Sequence, residues 1–221
     1  RNGCDYMLEI EIVNNINTYL ECKGIHFSNE LRMGVGIPDI SLNIGATRYL
    51  KPMDDYFLLS ILEFVNKKHC TSFHEIKNEF LITLDKVKQY VVILAKMSFV
   101  KVKNDIVRAI KNIFSAKLGT TISIEAKLKD WRGACLQAQR YLCFSDYAYI
   151  AMPSNYIKNI EQKLFVESGI GILSVEGNKV EEILSARKSD SCEFTLKYLI
   201  TSKIIEKSVE MGKKHLRKNI F

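Results

Sequence analysis

The chain has 221 residues, 47% of them apolar, which excludes a disordered polypeptide and leaves room for one large domain or two small ones. Lys and Arg outnumber Asp and Glu by 32 to 25, and the resulting formal charge of +7 favours a polyanionic partner such as nucleic acid or an anionic surface. No apolar run approaches the roughly 20 residues of a membrane span, and no charged-then-apolar leader follows the first residue, Arg1, so a cytoplasmic protein with no membrane partner is expected.

Residues 6 to 22 carry Leu8, Ile12, Ile16, Tyr19 and Leu20 at helical spacing and stop at Gly24, which predicts a first helix. From His26 to Ile44 the pattern is β-like, and Gly34 and Gly36 predict a tight turn between two strands, the second running through Ile37-Pro38-Asp39-Ile40-Ser41-Leu42. Residues 54 to 110 change character. A helix is expected over about 54 to 68, a second opens at a Ser72/Glu75 capping box, and a third runs from Thr83 to about Met97. Residues 99 to 103 and 106 to 108 then read as a hairpin turning at Asn104-Asp105. Three helices and a hairpin resemble a winged helix-turn-helix module, whose third helix commonly enters the DNA major groove. The apolar Val91-Val92-Ile93-Leu94 on that helix points equally to a protein-interaction module.

A linker at 115 to 119 leads to a strand, Thr121-Ile122-Ser123-Ile124-Glu125-Ala126-Lys127, then a helix over about 133 to 144 and an apolar strand, 147 to 152, ended by Pro153. Strand, helix, strand implies a parallel pair. A helix near 154 to 165, a hairpin around Glu176-Gly177-Asn178 and a basic helix near 194 to 218 close the chain. The six cysteines form no Cys-x-x-Cys pair and the four histidines offer no zinc spacing. His69 beside Cys70 reads as a helix end.

Side chains alternate along a strand, so Ser123, Glu125 and Lys127 share one face while Ile122, Ile124, Ala126 and Leu128 take the other. With the apolar set in a core, Glu125 and Lys127 project together. Glu-x-Lys alone means little, since it also occurs at Glu21, Glu75 and Glu161, but those three lie in predicted helices or at their ends. Hydrolysis of a phosphodiester calls for a hard cation held by carboxylate oxygens, so a second acid should converge on Glu125.

The chain here resembles the PD-(D/E)XK nuclease superfamily. The resemblance rests on Pro38-Asp39, the only Pro-Asp present, on Glu125-Ala126-Lys127, and on Gln137-x-x-x-Tyr141, whose spacing puts both side chains on one helical face. It implies an α/β, restriction-endonuclease-like mixed sheet flanked by helices, Mg²⁺ (Mn²⁺ as substitute) on Asp39 and Glu125, Lys127 orienting water or stabilising charge, and Gln137 and Tyr141 as accessory groups. A further acid is implied, for which Glu9, Glu11 and Glu30 compete, Glu30 and Glu9 being favoured. The function implied is metal-dependent cleavage of DNA. The rivals are a non-cleaving DNA-binding regulator and an interaction subunit that retain the fold, with a second copy or a partner protein docking on the winged-helix module. Asp39 and Glu125 are 86 positions apart, more than the family's hairpin requires, and an insertion explains the gap. The expected organisation is a first nuclease-core segment at 1 to 53, the winged-helix-like insertion at 54 to 110, a second core segment at 111 to 193 and a basic C-terminal helix at 194 to 221. Lys203, Lys207, Lys213, Lys214, Arg217 and Lys218 of that helix are candidates for clamping a phosphate backbone.

Overall fold

The computed structural model describes residues 8–46, 50, 53–110 and 118–210. In chain order the elements are α1 (Glu9–Cys22), β1 (His26–Asn29), β2 (Ile40–Ile44), α2 (Tyr56–Lys68), β3 (Cys70–Ser72), α3 (Phe73–Phe80), α4 (Leu84–Lys96), β4 (Val100–Lys103) and β5 (Ile106–Ala109). They continue with β6 (Thr120–Ala126), α5 (Trp131–Tyr141), β7 (Tyr147–Pro153), a 3₁₀ turn (Ser154–Asn159), α6 (Gln162–Ser168), β8 (Gly171–Glu176), β9 (Lys179–Leu184) and α7 (Phe194–Glu210). Two compact units divide them: Met53–Lys117, and Arg1–Pro52 together with Leu118–Phe221.

The larger unit is α/β. Its six strands lie in the order β1-β2-β6-β7-β8-β9. The β1/β2, β2/β6 and β8/β9 pairs are antiparallel, and β6/β7 and β7/β8 are parallel, which makes the sheet mixed. The period-2 alternation sorts its side chains. Ile40 and Leu42, Ile122, Ile124 and Ala126, Tyr149 and Ala151, and Leu173 and Val175 meet Ile12, Val13, Ile16 and Leu20 of α1 in one apolar core. Glu11, in the first turn of α1, folds back to accept the Leu8 N–H at 2.6 Å, capping the helix start.

The opposite face is polar where β2 meets β6. Register pairs Ser41 with Ser123 and Asn43 with Thr121. Asn43 Nδ2 donates to Leu118 O and to Thr121 Oγ1, and Thr121 Oγ1 lies 3.2 Å from Thr201 Oγ1 of α7. Asp146 accepts the Thr121 N–H at 2.8 Å and pairs with Lys197 Nζ at 2.7 Å. The Asp146 side chain is 7% exposed, so Lys197→Met would strand a buried carboxylate. The expected cost is about 3–5 kcal/mol in urea unfolding at neutral pH. A loss under about 1 kcal/mol would mean solvent already serves Asp146.

The smaller unit packs Leu59, Ile61, Leu62 and Val65 of α2 with Ile76, Val87, Val91, Leu94, Phe99 and Val107, all buried. Each helix has its start signal. Asp55 accepts from Leu58 N–H, Ser72 and Glu75 form a reciprocal box, and Thr83 accepts from Lys86 N–H. The strands lie in the order β3-β5-β4, all antiparallel. Asn104 and Asp105 both take positive φ, 49° and 60°, as a tight two-residue hairpin loop requires.

The structure corrects several expectations. Ten residues, 30 to 39, link β1 to β2 where the glycines predict a tight turn, with Glu30 N–H donating to Asp39 O and Met33 N–H to Gly36 O. The helix expected near 154 to 165 is a 3₁₀ turn and a separate α6, broken where Ile160 is extended. Strand β3 has no counterpart in the sequence pattern. Helix α7, set apart by its basic sequence, packs against β1 and β2 and belongs to the larger unit. Lys213, Lys214, Arg217 and Lys218 lie outside the described residues, as do Ser115 to Lys117 of the linker. Among the described residues no helix is long and apolar enough to cross a membrane.

Candidate active site

Strand β6 is buried along nearly its whole length, and Glu125 on it is only 2% exposed. The register that pairs Ile40 with Ile124 brings Asp39, the residue before β2, level with the end of β6. Asp39 Oδ2 accepts the Ala126 N–H at 2.7 Å, which ties the two strand ends together through the carboxylate. Just past β6, the Lys127 N–H extends the ladder to Ala151 O, and Lys127 Nζ stands 3.2 Å from Glu125 Oε1 and 3.4 Å from Glu9 Oε2. The Tyr141 hydroxyl, on the last turn of α5, donates to Glu125 Oε2 and lies 3.3 Å from Ile37 O. One oxygen of Glu125 thus meets an ammonium and the other a phenol. Gln137 is half-buried one turn earlier on α5.

Burial is the largest influence on both acids. It pushes the Asp39 carboxyl above its ordinary value, Glu9 and Glu30 add repulsion, and the Ala126 N–H and Lys127 pull back. Glu125 is raised by burial and by repulsion from Asp39, against the Tyr141 hydroxyl and Lys127. Burial disfavours the Lys127 ammonium, yet Glu125, Glu9 and Asp39 outweigh it and hold the group above the usual lysine value. Burial, with Glu125 adding, raises Tyr141 as well, so it stays a neutral donor. Two crowded carboxylates that each resist ionisation are a place where an added cation relieves repulsion.

The three competing acids separate. Glu11 is used in the cap of α1, Glu9 pairs with Lys127, and Glu30 is exposed, at φ 50°, near enough to Asp39 to repel it. Among the described residues no group of three or more His, Cys, Asp and Glu side chains stands ready to hold a metal ion. Asp39 and Glu125 remain as a pair of oxygen donors. Magnesium takes one or two carboxylates and keeps several waters, so the pair fits it in number and in kind.

How Tyr141 is seated has no signal in the sequence. A Cβ on Gly36 would come within 2.7 Å of Tyr141 Cε1, so the ring rests on the bare glycine backbone of the 30–39 link. Gly36→Ala is expected to cost about 1–3 kcal/mol by overpacking. In a Tyr141→Leu background, urea titration should show most of that cost gone, because the two positions share one contact. Equal costs in both backgrounds would place the strain elsewhere.

No family model matches the chain, and no curated protein matches it. A solved structure similar to it is the SPO1766 protein of unknown function from Silicibacter pomeroyi, at 11% identity and a TM-score of 0.48, covering 94% of this chain and 91% of that one.

Proposed function

We propose that the larger unit is a magnesium-dependent nuclease core of the PD-(D/E)XK type that hydrolyses DNA phosphodiester bonds. The observation that carries this reading is the meeting of Asp39, Glu125 and Lys127 at the adjoining ends of β2 and β6, two acids and an ammonium in one partly buried corner. The smaller unit is read as a winged-helix-like insertion. Its order of helix, strand, two helices and a hairpin supports that, as does its place in the chain between β2 and β6.

Asp39 and Glu125 would hold the cation, with Glu9 or Glu30 nearest for an additional contact. Bound there, a divalent ion would lower the pKa of an attacking water and offset charge on the phosphate. Lys127 keeps its proton and offers an N–H to the water or to a phosphate oxygen. Tyr141 fixes the orientation of the Glu125 carboxylate, and Gln137, one turn earlier on α5, would add a polar contact.

The test is cleavage of supercoiled, linear and branched DNA with Mg²⁺ or Mn²⁺. Metal-dependent cutting is expected. No cutting of any substrate, with DNA binding indifferent to metal, would overturn the catalytic reading and leave a DNA-binding regulator. A second role, docking of a partner protein or a second copy, is favoured by α4, where Val92 is 50% and Ile93 42% exposed.

A further inference from the structure

The outward face of the three-stranded sheet in the smaller unit is basic. Directly paired residues of neighbouring strands share a face. Lys101 pairs with Arg108, which pairs with Cys70, and Lys103 pairs with Ile106, which pairs with Ser72. Val107 and Thr71, between them, are buried at 0% and 2%, so the opposite face is the inner one. Lys101, Lys103 and Arg108 therefore project outward together, and all three are exposed. Among the described residues none of the three is in an ion pair. The nearby acids are Asp105, at the hairpin tip, and Glu75, which accepts from Ser72 and Thr71 and pairs with Lys68. A depression of about 440 Å³ lies here, lined by Lys101, Val102, Lys103, Asn104, Ile106 and Arg108.

Helix α4 is built differently. Val92 and Ile93 take up the second half of its solvent face, beyond Lys86, Lys88 and Gln89, where base-reading would call for hydrogen-bonding side chains. Lys101 and Lys103, two residues apart on a strand, are separated by about 6.5 Å, close to the distance between successive phosphates of one nucleic-acid strand.

We propose that this sheet face, rather than α4, is where the smaller unit meets DNA, with Lys101, Lys103 and Arg108 each engaging a backbone phosphate. Such contacts hold and align a duplex without reading its sequence. The inference rests on the reading of the chain as a DNA-acting protein and names the surface that grips the substrate.

The test measures duplex binding by fluorescence anisotropy across a salt series, on the full chain in EDTA, so that its outcome does not depend on cutting. Wild type is compared with Lys101→Ala/Lys103→Ala/Arg108→Ala and with Lys86→Ala/Lys88→Ala/Lys96→Ala on α4, circular dichroism and melting confirming that each is folded. Losing three phosphate contacts should lower the slope of log affinity against log salt by about 2.7 and weaken binding at least tenfold at low salt. The α4 variant should keep most of the wild-type slope. A sheet variant that binds as wild type, a loss confined to the α4 variant, or wild type with no affinity for duplex would each overturn the proposal. Cutting lost in Asp39→Asn while the sheet variant binds normally would leave the nuclease reading standing and remove only this one.

Discussion

Asp39→Asn is expected to lower metal-dependent cutting by at least about 10²–10³-fold while making the metal-free protein more stable. The two effects share one cause. The asparagine oxygen can still accept the Ala126 N–H, so the tie between strand ends survives, but a charge opposed by burial and by Glu9 and Glu30 is gone. The pH dependence follows in sign. Asp39 and Glu125 both titrate above their ordinary values in the folded chain, so folding takes up protons. Their contribution is fully present below the ordinary carboxylate range and is lost as pH rises through the raised values. Metal-free wild type should melt at lower temperature as pH climbs through that window, and Asp39→Asn should show a shallower fall. Added Mg²⁺ should restore wild type, by about 2.7 kcal/mol at a hundredfold excess over its dissociation constant, and should do far less for the variant. A variant less stable than wild type throughout would contradict the electrostatic account of the site.

Lys127→Met keeps the aliphatic stem and removes the ammonium. Cutting is expected to fall by about 10²–10³-fold at the pH optimum. The profile should also move. Lys127 pulls both Asp39 and Glu125 down, so without it their carboxyls titrate higher and the acidic limb of the pH–rate curve shifts to higher pH. A residue that merely filled space would cost rate without moving that limb, so an unshifted limb would demote Lys127 to packing.

What is legible in the sequence is short-range. The alternation from Ile122 to Ala126 places Glu125 on a strand, and the Ser72/Glu75 box and Thr83 locate two helix starts to the residue. Residues whose role depends on distant partners stay hidden. Lys197 reads as one more basic group on a basic helix, yet it is committed to Asp146, 51 positions away. Glu9 and Glu11 are both acids at a helix start, and nothing local in the sequence separates their roles. Two positions on a helix differ by roughly 200° in direction, and only the fold shows which one turns to Lys127. Strand β3, three residues long, is too short to carry a period of its own. Gly36 has the look of a turn glycine, and its close approach to Tyr141 depends on α5, about a hundred residues on.

The pairing of Ile44 with Thr120 has a consequence for synthesis. Seventy-five residues separate these two partners. At about 5–20 residues per second, β2 leaves the ribosome roughly 4–15 s before the strand that will cover its free edge. During that interval an open, apolar strand edge is available to other nascent chains. The intervening residues contain a compact unit of their own. A stall before β6 has emerged should therefore favour aggregation, and a chain arrested there should be a client for chaperones that shield strand edges.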